Sequence, residues 1–457
     1  MKKLIILYCI SAWVGLGACS VYKSYERPDM PVVDSLYRQA AATSADTTSI
    51  ASLSWRELFT DPKLQALIET GLQNNTDLNI ARLKVTEAEA TLMTSRLAYL
   101  PSISFEPSGT LRSVDGNAMT KSYDIAASAS WEVDIFGKLT NAKRGAKAAL
   151  EQSEAYRQAV QTQLIATIAN SYYSLLMLDA QLDISERTAA NWGENVRAMK
   201  ALKAAGDATE LAVAQSEASK LSVDASIASL RQQIDQMENT LTALLGIAPQ
   251  KIDRTTIGEQ RFPTELAAGV PLQLLQRRPD VRQSEAALAQ AFYATNAARA
   301  AFYPSITLSG SAGWTNAAGA AITNPGQWLF TAVGSLVQPL FNRGRNIANL
   351  RIAKAQQEEA LLSFRQSLLD AGTDVNNALI QWQTARQRQQ IDQQQILSLE
   401  STVRSSELLM QYSSQNYLEV LTARQTLLQA ELTAVSDRFD EIQGVINLYH
   451  ALGGGAE

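Results

Sequence analysis

Two stretches of alternating side chains organise the chain. After Pro101, Ile103, Phe105, Pro107, Gly109 and Leu111 fall on one face, and Ser102, Ser104, Glu106, Ser108, Thr110 and Arg112 on the other. The pattern returns after Pro304, 203 residues later, as Ile306, Leu308, Gly310, Ala312 and Trp314 against Ser305, Thr307, Ser309 and Ser311. Period-two alternation predicts strands with one apolar and one wet face. Taken alone, one such segment reads first as a hairpin on a soluble core. Its length also suits a tilted bilayer-crossing strand, which needs about 9–11 residues.

The surrounding pattern is a tandem repeat. Each half reads as helix, two strands, long helix, long helix. The first half covers residues 55–245 with strands at 102–114 and 122–136; the second covers 271–452 with strands at 305–316 and 328–341. The fourth strand is the least regular, because Leu329, Val333 and Val337 occupy its other face. One helix is expected from Leu72 to Leu100, stopped by Pro101, and its copy from Asp280 to Tyr303. Between Gly145 and Gly193 there is neither Gly nor Pro, so the helix there spans roughly 70 Å, too long for one compact domain. Leu230, Ile234, Met237, Leu241 and Leu244 keep a four–three seam, as in coiled-coil packing. A further local match sets Glu210-Leu211-Ala212 against Glu419-Val420-Leu421, at an offset of 209. Residues 246–270, with three glycines and two prolines, read as a linker, and 453–457 as a tail.

The N-terminus adds location. Lys2 and Lys3, the apolar Leu4–Val14 and Leu16-Gly17-Ala18-Cys19 read as a signal segment over residues 1–18. Small residues before a cysteine there resemble a bacterial lipobox, which leaves Cys19 as the acylated N-terminus of a polar tether over 19–54. Cleavage also removes Cys9, so the mature chain has no disulfide and no thiolate metal site. The net charge of −5 gives no electrostatic case for nucleic acid. No later apolar run reaches the roughly 18 residues of a membrane helix.

Four amphipathic strands cannot close a membrane barrel, for which about eight is the minimum, and open edges are not tolerated in lipid. Three copies would supply about twelve. The run Arg277-Arg278-Pro279-Asp280-Val281-Arg282-Gln283-Ser284-Glu285 resembles the hallmark of TolC-like outer membrane efflux factors, in the lipoprotein branch that serves resistance-nodulation-division pumps. Trp55-Arg56-Glu57-Leu58-Phe59, Asn74-Asn75-Thr76-Asp77-Leu78, both Pro-Ser-Ile strand starts and Asn447-Leu448-Tyr449-His450 fit the same family. The resemblance covers essentially the whole mature chain. It implies an α+β membrane protein: a homotrimer with a shared 12-stranded β-barrel in the outer membrane, continued by an α-helical tunnel in the periplasm. Its implied partners are a periplasmic adaptor and an inner-membrane pump.

The resemblance also assigns sites. Glu419 aligns with a carboxylate that narrows the tunnel entrance, Glu210 is a second contributor, and Thr422 stands where many relatives carry an Asp. The helix turns, Ala205, Gly206 and Asp207 with Ser414, Gln415 and Asn416, are candidates for adaptor contact. Arg277, Arg278, Pro279 and Asp280 read as a structural helix start, without transport chemistry. Tyr123, Trp131, Trp314 and Trp328 read as anchors at membrane interfaces.

Other classes fit less well. His450 is the only histidine, and neither a phosphate loop nor a nucleophile motif is present, so no catalytic residue, metal site or cofactor beyond the lipid on Cys19 is expected. A coiled-coil periplasmic lipoprotein without a pore explains the helices but not four duplicated strands. A duct for type I protein secretion is the runner-up. The exported substrate is not legible.

Overall fold

The computed structural model describes residues 22–29, 50, 53–113, 115, 119–262, 278–316, 327–412 and 417–456. In chain order its elements are α1 (Trp55–Leu58), α2 (Pro62–Asn74), α3 (Thr76–Leu97), β1 (Ser102–Phe105), β2 (Ser108–Arg112), β3 (Thr120–Val133), α4 (Lys138–Ala205) and α5 (Glu210–Leu244). After a short 3-10 turn at Ile257–Glu259 come α6 (Pro279–Ala300), β4 (Ser305–Thr315), β5 (Gln327–Val337), α7 (Arg345–Tyr412) and α8 (Tyr417–Ala451).

The repeat holds residue for residue in its helices. α3 and α6 are both 22 residues long, α4 and α7 both 68, and α5 and α8 both 35. Gly145 and Gly193 lie inside α4, so the long helix exceeds its sequence-based bounds; a helix glycine costs only about 1 kcal/mol, which side-chain packing offsets. The offset is 203 residues up to β1 and β4 and 207 from α4 and α7 onward, because the second hairpin connection is longer. Burial confirms the register: Val213 and Val420, Ser216 and Ala423, and Leu241 and Leu448 are all buried pairs 207 apart. The match of Glu210 with Glu419 is therefore out of register by two residues, about 200° of helix rotation. Glu210 corresponds to Tyr417, and Glu419 to Ala212.

Other expected boundaries move for local reasons. The single helix expected over Leu72–Leu100 breaks at Asn75, whose side chain accepts from Leu78 N at 3.0 Å and donates to Leu244 O at 2.9 Å. The first strand is interrupted at Glu106–Pro107, since proline has no N–H for the ladder. The second ends at Val133, because the Asp134 carboxylate takes the first-turn amides of α4, Leu139 N at 3.0 Å and Thr140 N at 2.7 Å. The fourth stops at Val337, two residues before Pro339.

The chain forms two compact units. One holds the sheet with residues 84–154 and 283–365 and the segment 22–29. The other holds the described parts of 50–83, 155–262, 278–282 and 366–456. Its core gathers Phe59, Leu64 and Ile68 against Ile165, Tyr172 and Leu176 of α4 and Ile446 and Leu452 of the C-terminal end. Gly444 of α8 is required there: a Cβ would stand 2.9 Å from the Trp382 backbone of α7. At the heart of this core Asp61 is 6% exposed. It accepts from Tyr172 Oη at 2.6 Å, Thr255 Oγ1 at 2.5 Å, Gln260 Nε2 at 3.1 Å and Lys63 N at 2.9 Å.

Candidate channel wall and entrance

The sheet runs β1/β2–β3–β4–β5, antiparallel throughout, with β1 and β2 both on β3. Its register carries the alternation across all strands. Phe105, Ala127, Ala312 and Phe330 stand in one row, and Gly109 and Tyr123, or Trp314 and Trp328, are direct partners. β1 and β2 keep one common register on β3, so the Pro107 break does not flip a face. Ile103, Phe105, Leu111, Ile125, Trp131, Leu308, Phe330 and Leu336 therefore share one face. Glu106, Arg112, Asp124 and Glu132 lie on the other with the serines and threonines. Lys121, opposite Leu111 near one end of the sheet, is the charged residue on the apolar side. Leu329, Val333 and Val337 do fall on the polar face, where Leu329 is the register partner of Gly313.

Among the described residues nothing covers the apolar face. Ile103 is 77% exposed, Phe330 79% and Trp328 74%, far beyond the isolated apolar residues of an ordinary surface. Aromatics mark both ends: Trp314 and Trp328 meet at 4.7 Å near one, and Trp131 donates from Nε1 to Tyr99 O at 2.9 Å near the other. Trp131 and Tyr123 are eight residues apart along β3, about 27 Å of strand, which matches an apolar band of about 25 Å between aromatic girdles. Among the described residues no helix is long and apolar enough to cross a membrane.

Cys19 lies outside the described residues, but the segment after it is placed. Tyr22 packs on Gly137, which follows β3 and has φ +71°. Tyr25 N donates to Tyr293 Oη at 3.2 Å, and Arg27 Nε donates to Glu285 Oε1 at 2.7 Å. These contacts seat the segment against α6 and the start of α4.

At the other functional candidates, α4 turns into α5 through Gly206 at φ +89°, a conformation that favours glycine. Ala205, Gly206 and Asp207 are exposed. Thr209 caps α5, its Oγ1 accepting from Ala212 N at 3.2 Å. Ser414, Gln415 and Asn416 lie outside the described residues. Glu419 is exposed in the first turn of α8. Thr422, one turn on, is exposed and donates its hydroxyl to Leu418 O at 2.8 Å. Glu210 forms an ion pair with Lys203, which partly neutralises it.

A clasp that sequence reasoning missed holds α8 to α5. The Tyr417 hydroxyl meets Ser216 Oγ, which also donates to Asn195 Oδ1 at 3.2 Å, over a small core of Met199 and Val213. Burial pushes the Tyr417 phenol above its ordinary pKa. Arg424 ties α8 to α7 beside it, through Nε (3.0 Å) and Nη2 (2.5 Å) to Glu407 Oε1. A buried tyrosine at the start of a helix carries no distinctive sequence signal.

Arg277 lies outside the described residues, and its neighbours are structural. Arg278, 5% exposed, donates to Asp280 Oδ1 at 3.0 Å, Asp374 Oδ2 at 2.9 Å and Ala451 O at 2.9 Å. Burial works to raise the Asp280 carboxyl, but the hydrogen bond and charge of Arg278 outweigh it and hold the group below the usual range. Pro279 opens α6.

A family model described as outer membrane efflux protein matches residues 67–247 and 270–454, one block for each half of the repeat. The chain belongs to that family. It is 31% identical to the cation efflux system protein CusC of Escherichia coli K12 over 453 residues, 98% of both chains. It is 29% identical to the probable outer membrane lipoprotein SilC of Salmonella typhimurium, covering 100% of this chain and 99% of that one. A crystal structure of CusC superposes with a TM-score of 0.84 at 29% identity, over 95% of this chain and 100% of that one. The open-state MtrE outer membrane channel of Neisseria gonorrhoeae does so at 0.86 and 28%, over 96% and 99%. The chain is thus an outer-membrane efflux channel protein, and its uncovered apolar sheet face is the surface such a location requires.

Proposed function

We propose that three copies of this chain close one 12-stranded barrel in the outer membrane, and that their helices continue it as a tunnel in the periplasm. One observation carries this reading: a sheet of four strand positions with an uncovered apolar face and unpaired edges at β1/β2 and β5 among the described residues. Lipid would accept the apolar face but not the edges, which must pair with other copies. The serine- and threonine-rich face then lines a water-filled lumen.

Lipid on Cys19 would anchor each copy. Two residues separate it from Tyr22, three Cα steps or a reach of about 10 Å, so the acyl chains would lie beside the strand–helix junction at Gly137. The turn at Ala205–Asp207 and the residues Ser414, Gln415 and Asn416 would dock a periplasmic adaptor, which couples the duct to an inner-membrane resistance-nodulation-division pump. Leu211 and Leu418, 66% and 58% exposed near these residues, suit a protein contact.

Cargo selection would reside in the pump. Relatives at similar identity carry names for cation efflux (CusC), toluene efflux (TtgC) and pyoverdine export (OpmQ), so the duct itself is permissive.

Glu419 would form a ring of three carboxylates at the entrance, with Glu210 contributing less because of Lys203. Planar-bilayer recording tests both the pore and the ring. The protein should conduct with a preference for cations, and Glu419→Ala should lower that preference about two- to threefold without abolishing conductance. Absence of conductance contradicts the pore; unchanged selectivity in the variant contradicts the ring alone.

A further inference from the structure

Inside the length of α7 and α8 lies a buried carboxyl pair that neither the wall nor the entrance uses. Asp437 of α8 is 1% exposed and Asp392 of α7 is 8% exposed. Asp392 follows Arg388, the ion-pair partner of Asp437, by one helical turn, so the two buried carboxyls lie on facing sides of the same α7–α8 contact. Arg388 of α7 forms an ion pair with Asp437 Oδ1, and the same guanidinium reaches Asp440 at 3.5 Å. No donor among the described residues hydrogen-bonds Asp437 Oδ2 or Asp392 Oδ2. Gln389 is engaged elsewhere, with Asp437 O at 3.3 Å and Glu441 Oε2 at 2.8 Å. From α4 the neighbouring contact is neutral, Gln181 Nε2 to Ser436 Oγ at 3.0 Å.

Two neighbouring buried anions repel strongly, and one partly exposed guanidinium shared with Asp440 compensates only one of them. A proton between the carboxyls removes a charge and supplies the missing hydrogen bond at once. A metal fits less well: the guanidinium already occupies one oxygen, and among the described residues no three acidic, histidine or cysteine side chains are placed to hold an ion.

The geometry points to a proton-binding site in which Asp392 and Asp437 share one proton, whose release loosens α7 from α8. The helix pair that carries Glu419 is then tied more firmly in acid than at neutral pH. Burial, followed by the hydrogen bond with Asp392, pushes the Asp437 carboxyl up to about 6 against the pull of Arg388. A folded-state value above the ordinary carboxylate value means that the stabilisation is complete below that ordinary value and is lost as pH rises through about 6.

The test is the thermal midpoint of the full-length protein in detergent at about pH 4.5 and about pH 7.5, either side of this titration. The unsubstituted protein should lose several degrees between them. Asp437→Asn and Asp392→Asn each replace the proton with an amide donor, and should lose less than half as much. An equal loss in the variants overturns the proposal. If neither variant folds, difference infrared spectra of the unsubstituted protein decide: a protonated-carboxyl carbonyl band should disappear as pH is raised through about 6, and its absence overturns the site. A midpoint raised at neutral pH by calcium or magnesium, and not by acid, assigns the pair to a metal and equally overturns it.

Discussion

Ala127→Arg should prevent stable insertion, whereas Ser309→Arg should leave it nearly intact. Ala127 is exposed at the middle of β3 on the apolar face, in the row of Phe105, Ala312 and Phe330. Ser309 is exposed on β4 on the opposite face, three register positions from that row, paired with Ser130 and Val333. An arginine on the lipid face at mid-bilayer costs about 2–4 kcal/mol per copy, and a trimer would bear that cost three times. The same side chain pointing into a wet lumen keeps its hydration. Membrane fractionation with heat-resistant oligomer on a gel reads the difference. Equal tolerance of the two substitutions would show that the faces are assigned wrongly.

Asp61→Ala should be the most damaging change outside the sheet. The Asp61 carboxylate receives four hydrogen bonds and caps α2, and without it Tyr172 Oη and Gln260 Nε2 lose their shared acceptor inside the core. A lost cap and stranded buried donors together cost roughly 3–5 kcal/mol. Burial raises the Asp61 carboxyl, but the bonds from Thr255, Tyr172, Lys63 and Gln260 prevail and hold it below the usual range. Its stabilisation is therefore present above the ordinary carboxylate pKa and is lost as pH falls through the depressed value. The thermal midpoint should drop sharply at neutral pH in Asp61→Ala, and the gap from the unsubstituted protein should close in strong acid. Asp61→Asn, which keeps an acceptor oxygen, should lose less.

Much of the fold is legible in the sequence because alternation and proline punctuation are local. Pro101 and Pro304 mark equivalent strand starts, and the side-chain sequence of Ile103–Leu111 and Ile306–Trp314 already sorts the faces. What sequence handles poorly is register between distant segments. Glu210-Leu211-Ala212 and Glu419-Val420-Leu421 look alike because helix composition is repetitive. Only the burial of Val213 with Val420 and Ser216 with Ala423 reveals the offset of 207. Helix ends were similarly hidden. Gly145 and Gly193 look like boundaries but are absorbed by packing, while Asn75 looks helix-compatible and yet breaks the helix through its bond to Leu244 O. The Tyr417–Ser216 clasp and the Asp392–Asp437 pair join residues far apart in sequence, so no local pattern announces them.

If three copies close one barrel, the open sheet is completed only by other copies of the chain. Native mass measurement of the full-length protein, extracted from membranes in mild detergent, tests this most directly. The expected mass is three times that of the lipid-bearing mature chain, with no free monomer at equilibrium. A stable monomer or dimer that still inserts into membranes would leave unpaired strand edges in lipid, and would contradict a barrel shared by three copies.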